Sequence, residues 1–175
     1  MFKKAPKFQQ LLPVYAVIVA ILYLWSLIHF FWKLSSWIYF LSAGEISVVL
    51  AYMIVINLVE SLFILLLIVT LKVVLSRIWP DDQFIVKGVL LTLVGLGFLI
   101  YRNHYFPTKA IYALTWLQLA SVMGLGALVI LVPFHRSPAF SRAMDALADR
   151  FIIFLYIAIP ASAISLLVVL FRNLF

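Results

Sequence analysis

Cysteine is absent from the chain, and charged residues make up only 11% of it. The lack of cysteine excludes disulfide bonds, thiolate metal sites and a cysteine nucleophile. The lack of charge does not suit a soluble domain, in which about 25% of the residues are charged. Phosphate-binding and dinucleotide-binding glycine motifs are also missing, and no serine, histidine and aspartate pattern of a hydrolase is present. The sequence therefore gives no indication of an enzyme.

What the sequence has in excess is apolar surface, because 67% of its 175 residues are hydrophobic. A chain of this length cannot hide that many apolar residues in a core, so the expected solvent is lipid. Backbone polar groups in lipid must be satisfied internally, which leaves helices or a closed barrel. Barrel strands alternate in polarity, whereas the runs in this chain are apolar on all sides. We therefore predict an all-α membrane protein.

The apolar runs predict a bundle of five transmembrane helices, over residues 11–32, 46–71, 84–101, 110–134 and 151–171. A short amphipathic helix is expected before the last span, because Phe140, Met144 and Leu147 recur at helical spacing among charged residues. This helix either lies flat on the membrane surface or extends the last span. No linker or low-complexity segment divides the chain, so residues 1–175 form a single transmembrane domain.

The third run is the ambiguous one, because its uncharged part, Gly88–Tyr101, is short enough for a re-entrant segment. If the Lys87 side chain reaches back to the interface, Phe84–Tyr101 is long enough to span. The distribution of basic residues does not separate the two alternatives. Aromatic residues, which favour membrane interfaces, cluster at two levels that fit five spans better.

Basic residues predict the orientation. In the five-span arrangement nine of the 13 lie on one side, namely Lys3, Lys4, Lys7, Lys72, Arg77, Lys87, Arg136, Arg142 and Arg150. The excess of positive charge marks the cytoplasmic side, so the N-terminus is expected there, in a multi-pass protein of a bacterial cytoplasmic membrane. Since the charge lies at the ends of the runs, we read the net charge of +7 as contact with lipid headgroups rather than with nucleic acid.

One carboxylate, Glu60, interrupts the second run near its centre. A charge at that depth costs about 2.5–3.5 kcal/mol on insertion scales, so it needs a partner, a proton or a water-filled cavity. Asn57 lies three residues earlier on the same helix face and Ser61 is adjacent, so the three predict an intramembrane polar patch, with Gln118 of the fourth run as a candidate partner. Ser26 and Ser162 are further candidates, and so is a group on another subunit.

Two other sets of residues are candidates for contacts. Gly95, Gly97, Gly124 and Gly126 lie at similar depth on the third and fourth spans, where small residues would let the two backbones approach closely. His29 and His104 share the outer face and are candidate ligands of a haem or pigment. An interfacial histidine that hydrogen-bonds at headgroup level is the commoner alternative. No metal-binding spacing is present.

These patterns are typical of a non-catalytic subunit that organises helices, lipids or cofactors within a larger membrane complex. The expected partners are membrane lipids and other membrane subunits. Two alternatives stay open. One is a small transporter or channel that works through Glu60. The other is a haem-binding or pigment-binding membrane subunit that uses His29 or His104.

Overall fold

The computed structural model of the protein describes residues 6–74, 83–105 and 138–174, and the side chains of all of these except 102–105. This part of the chain forms four helices: α1 (Phe8–Trp37), α2 (Ala43–Val74), α3 (Phe84–Tyr105) and α4 (Pro138–Leu174). Each of the four is long and apolar enough to cross a membrane. The all-helical membrane fold is confirmed to that extent. The predicted span 110–134 lies outside the described residues.

Helices α1 and α2 each begin three residues before the predicted apolar run, because polar residues cap them. α2 begins at Ala43 because Ser42 and Glu45 form a reciprocal capping box. The Ser42 amide donates to the Glu45 carboxylate at 2.8 Å, and the Glu45 amide donates to the Ser42 hydroxyl at 3.4 Å. At the start of α1, the Lys7 amide donates to the Gln10 side-chain oxygen at 3.2 Å.

Helix α1 is the centre of the bundle and contacts α2, α3 and α4. Its segment Val14–Ala20 is almost completely buried, which fits a helix that is surrounded at this level. The main apolar cluster joins the first half of α1 to the other three helices. Its buried members are Val14, Val17, Ile18, Ile68, Phe84, Val89 and Ala148.

Pairs of contacts along the helices give their relative directions. Ala16 of α1 packs with Leu155 of α4, and further along both helices Tyr23 contacts Ser162, so α1 and α4 run parallel. Helix α2 runs against both. Near its beginning, Tyr52 donates a hydrogen bond to Asn173, at the end of α4. The end of α4 and the beginning of α2 therefore lie at the same end of the bundle.

The amphipathic segment before the last span is not a separate helix, because α4 continues without a break from Pro138 to Leu174. Of the two predicted arrangements, the extended one is observed and the flat one is wrong. The apolar stripe of the extension packs against the bundle: Ala148 is fully buried, and Met144 and Leu147 cover the main cluster. At 1.5 Å per residue α4 is roughly 55 Å long, which exceeds the ~30 Å hydrocarbon core.

The third run forms one continuous helix with no internal break. Its residues Phe84–Tyr101 coincide with the predicted span and are sufficient in length and composition to cross a membrane. The helix packs closely on α1 at Gly88, where a Cβ atom would come within 3.1 Å of a Val14 methyl carbon. This approach of α3 to α1 was not predicted from the sequence.

Candidate functional site

The middle of the bundle contains a layer of hydrogen bonds that joins α1 to α2 and α4. The Tyr23 hydroxyl lies 2.6 Å from the Ser162 hydroxyl, which donates to the Ala158 carbonyl oxygen at 2.6 Å. Because the single Ser162 proton is used in that second bond, Tyr23 is the donor in the first, and the Ile54 carbonyl oxygen, at 3.5 Å, is a more distant acceptor for the same Tyr23 proton. The order of donation therefore runs from α1 to α4 and ends on a backbone carbonyl.

Two further pairs join α1 to α2 in the same layer. Ser26 donates to the Asn57 side-chain oxygen at 2.8 Å, and the Tyr15 and Ser61 hydroxyls are 3.3 Å apart. Ser61 donates to the Leu58 carbonyl at 2.8 Å, so Tyr15 is the donor to Ser61. Interhelical hydrogen bonds of this kind contribute about 0.6 kcal/mol each in membrane proteins. The layer fixes the register of the helices.

One group in this layer is left without a partner: the side-chain nitrogen of Asn57. Asn57 is only 3% exposed, so its unpaired amide nitrogen lies in an apolar surrounding. Such a group costs about 1–3 kcal/mol in a protein interior. The Asn57 side chain is therefore only half satisfied by its bond with Ser26.

The predicted polar patch is divided by the structure. Asn57 and Ser61 face α1 and are buried, whereas Glu60 is exposed on the opposite flank of α2. The two serines that were candidate partners of Glu60 are bonded elsewhere, Ser26 to Asn57 and Ser162 to Tyr23. Those two pairings with Glu60 are wrong. Gln118, the third candidate, lies outside the described residues.

Glu60 belongs instead to the apolar outer stripe of α2. Its neighbours there are Ile56, Val59, Phe63 and Leu67, each more than half exposed. Within the part of the chain that the structure describes, no hydrogen bond or ion pair reaches the Glu60 carboxylate. The one acid at mid-depth of this helix is thus directed away from the internal polar layer.

Of the two histidine candidates, only His29 has a described side chain. Its Nδ1 atom is 3.0 Å from the Trp25 carbonyl oxygen, and its ring lies 4.1 Å from the Trp25 ring, centroid to centroid. Because a carbonyl can only accept, Nδ1 carries the proton and Nε2 is left for another partner. The His104 side chain is outside the described residues, so the predicted pairing with His29 stays a prediction.

Two cavities open beside α1. The first, of about 220 Å³, lies between the end of α1 and the beginning of α2 and contains His29 and Lys33. The second, of about 290 Å³, lies deeper between α1, α2 and α4 and is apolar apart from Tyr23. Glu60 is not among the residues that line either cavity. Over the described ranges, no cluster of three or more His, Asp or Glu side chains is placed to hold a metal ion.

The four predicted packing glycines are only partly described. No described atom lies within 4 Å of a Cβ built at Gly95 or Gly97, so their close approach is not to α1, α2 or α4. Gly124 and Gly126 lie outside the described residues, and the predicted contact between the third and fourth spans stays a prediction. Gly88 is the glycine at which two described helices meet.

Sequence reasoning missed three polar residues that the bundle covers: Lys72 is buried, and Tyr15 and Tyr23 are half-buried. Tyr15 and Tyr23 were counted as part of an apolar run, although tyrosine prefers the membrane interface and both lie well inside the helix. Lys72 was counted as an interfacial charge, yet its side chain is 2% exposed and takes part in an interaction at the end of α2. Tyr15, Tyr23 and Ser26 lie on one face of α1 at helical spacing, which was the available signal.

No protein-family model matches the chain, and no curated protein or solved structure is significantly similar to it.

Proposed function

We propose that this chain is a non-catalytic subunit of a larger membrane complex, and that the outer stripe of α2 around Glu60 binds another membrane chain. The single observation that carries the proposal is the position of Glu60. Its carboxylate is exposed in the middle of a helix that is long and apolar enough to cross a membrane, with no polar partner in the described part of the chain.

A carboxylate inside a bilayer needs a partner that compensates for its loss of hydration. Placing one against acyl chains at the centre of a bilayer costs about 2.5–3.5 kcal/mol on insertion scales. Glu60 is about 26 Å along the helix from the beginning of α2 and about 21 Å from its end at 1.5 Å per residue, which is too deep for its short side chain to reach the interface. A partner helix with an arginine, lysine or hydrogen-bonding side chain at the same depth removes this cost.

The surrounding surface supports the same conclusion. The stripe formed by Ile56, Val59, Phe63 and Leu67 is apolar and unoccupied by α1, α3 or α4. By contrast, Asn57 and Ser61 on the inner face are joined to α1. The polar groups that hold the bundle together are therefore distinct from the carboxylate that faces outward. A transporter working through Glu60 gains no support, since Glu60 lines neither described cavity.

The relative direction of the helices supports five spans with the termini on opposite sides. Helices α1 and α4 run parallel, as an odd number of crossings requires. If the third run were re-entrant and the other four runs crossed, the last span would run antiparallel to the first. We therefore propose the five-span arrangement, with the N-terminus in the cytoplasm and the C-terminus outside.

The proposal is tested by purifying the tagged protein from its native membrane in mild detergent and identifying bound chains by native mass spectrometry. Glu60→Leu should release the partner. Glu60→Gln should retain a partner that forms a hydrogen bond and release one that forms an ion pair. Thr70→Leu is the matched control, because Thr70 is exposed on α2 but already donates to the Leu66 carbonyl at 2.8 Å.

Three results would contradict the proposal. The first is a full complement of partners on Glu60→Leu. The second is the absence of any partner on the wild-type protein. The third is a loss of monomer stability on Glu60→Leu that Gln118→Leu reproduces, which would make the carboxylate an anchor within the chain.

A further inference from the structure

The cavity between the end of α1 and the beginning of α2 combines aromatic walls with one histidine and one lysine side chain. Trp25, His29, Lys33 and Trp37 of α1 line it together with Val49 and Met53 of α2. The cavity follows the last 13 residues of α1, Trp25–Trp37, which include the end of the predicted span 11–32, where lipid headgroups are expected to meet acyl chains. Tryptophan is enriched at this level in membrane proteins because its ring is apolar and its N–H is polar.

Lys33 supplies a positive charge that nothing in the described chain neutralises. Its side chain is exposed, and no described carboxylate forms an ion pair with it. The acid at the same end of the bundle, Glu45, is bonded to Ser42 and is not among the residues that line the cavity. An anion at the cavity rim is therefore attracted by Lys33 without competition from that acid.

His29 supplies a second, different contact. Its Nδ1–H is donated to the Trp25 carbonyl, and the Trp25 ring, tilted by 58° to the imidazole, packs against it. In the neutral ring Nε2 is then an acceptor, since only one of the two nitrogens carries a proton. Nε2 is suited to a hydroxyl group that donates a hydrogen bond, next to the anion that Lys33 attracts.

We propose that this cavity binds the headgroup of an anionic glycerophospholipid, with its phosphate at Lys33 and a headgroup hydroxyl donating to His29 Nε2. Phosphatidylglycerol has both groups. A free phosphate ion would leave the apolar walls formed by Trp25, Val49 and Met53 without a contact, whereas the glycerol and acyl carbons of a lipid cover them. This inference does not depend on the partner proposed for Glu60.

The test measures lipid retained by the purified full-length protein after exchange into nanodiscs, by native mass spectrometry. Three lipids with the same acyl chains are compared: phosphatidylglycerol, phosphatidylethanol, which has the same charge and no headgroup hydroxyl, and phosphatidylcholine. The wild-type protein should retain phosphatidylglycerol best. Lys33→Gln should lower the retention of both anionic lipids about fivefold relative to phosphatidylcholine, since one lysine near an anionic headgroup contributes about 1 kcal/mol.

His29→Phe keeps an aromatic ring in contact with Trp25 and removes the acceptor. It should make phosphatidylglycerol and phosphatidylethanol equal while leaving both above phosphatidylcholine. Arg172→Gln is the matched control, because it removes one positive charge at the same end of the bundle outside the cavity. It should leave the preference for anionic lipid unchanged, and thermal unfolding checks that each variant is folded.

Three outcomes would overturn the assignment. The first is equal retention of the three lipids by the wild-type protein. The second is an effect of Lys33→Gln no larger than that of Arg172→Gln. The third is displacement of phosphatidylglycerol by tens of millimolar inorganic phosphate, which would show a site for the free ion rather than for the lipid.

Discussion

The close contact of α3 with α1 at Gly88 gives the sharpest prediction about the fold. A Cβ atom at Gly88 would lie 3.1 and 3.2 Å from the two methyl carbons of Val14, which is itself fully buried. Ordinary contacts between carbon atoms are about 3.5–4.0 Å. Valine in a helix keeps one χ1 rotamer in about 90% of cases, so its methyl groups cannot rotate out of the way. Gly88→Ala must therefore push the helices apart.

The expected magnitude follows from two opposing terms. Replacing glycine by alanine inside a helix gains about 1 kcal/mol in helix propensity. Overpacking a close contact costs about 1–3 kcal/mol. Gly88→Ala should thus range from neutral to about 2 kcal/mol less stable. Gly44→Ala measures the helix term without the contact, because its new Cβ meets no described atom within 4 Å. Gly88→Leu should lower the stability more than Gly88→Ala, because its side chain is larger.

The assay is reversible unfolding by sodium dodecyl sulfate in mixed micelles, followed by circular dichroism. The decisive comparison is a double-mutant cycle with Val14→Ala, which removes both methyl groups that meet the new Cβ. Gly88→Ala should be less harmful in that background, with a coupling energy of about 0.5–3 kcal/mol. If Gly88→Ala and Gly44→Ala change stability equally, and Val14→Ala makes no difference, the proposed contact between α1 and α3 is refuted.

Two further predictions concern the polar layer and the topology. Tyr23→Phe removes the hydrogen bond to Ser162 and should lower stability by about 0.6 kcal/mol, with an upper limit near 1.7, whereas the control Tyr156→Phe, at a side chain that is 78% exposed, should be neutral; equal effects would contradict a stabilising bond between Tyr23 and Ser162. Because the chain has no cysteine, Lys7→Cys and Asn173→Cys each introduce a single thiol. A membrane-impermeant maleimide should label position 7 from the cytoplasm and position 173 from outside. Labelling of both positions from the same side would exclude five spans.

Composition was sufficient to predict the class of fold, because a chain with so few charges has no alternative to lipid. It was less informative about helix ends. An apolar run ends at its first polar residue, whereas a helix continues until a cap or a proline stops it. The capping pattern at Ser42 and Glu45 and the first-turn proline at Pro138 were both readable in the sequence. No glycine or proline follows Pro138 until Pro160, which is why the amphipathic segment and the last span form one helix.

The face of α2 on which Glu60 lies could not be predicted, because this helix is apolar all round and has no face of distinct composition. Ser61 lies about 40° from Asn57 around the helix axis, and Glu60 lies about 60° from it in the other direction. Both spacings allow a shared face. Packing selects Asn57 and Ser61 because their partners, Ser26 and Tyr15, are on α1 at matching heights. That selection turns Glu60 outward, and nothing in the sequence of α2 alone specifies it.

Within the described helices, two groups of polar residues have different physical consequences. The inward group, which includes Tyr23, Asn57 and Ser162, forms its hydrogen bonds within the chain, so it should stabilise the bundle in any detergent that keeps the helices together. The outward group, Glu60 and Lys33, has no partner among the described residues, and its free energy depends on what surrounds the protein. Partner release and lipid exchange should therefore change the stability of the wild-type protein more than that of a variant with both outward charges removed, since the Glu60 and Lys33 side chains exchange one environment for another.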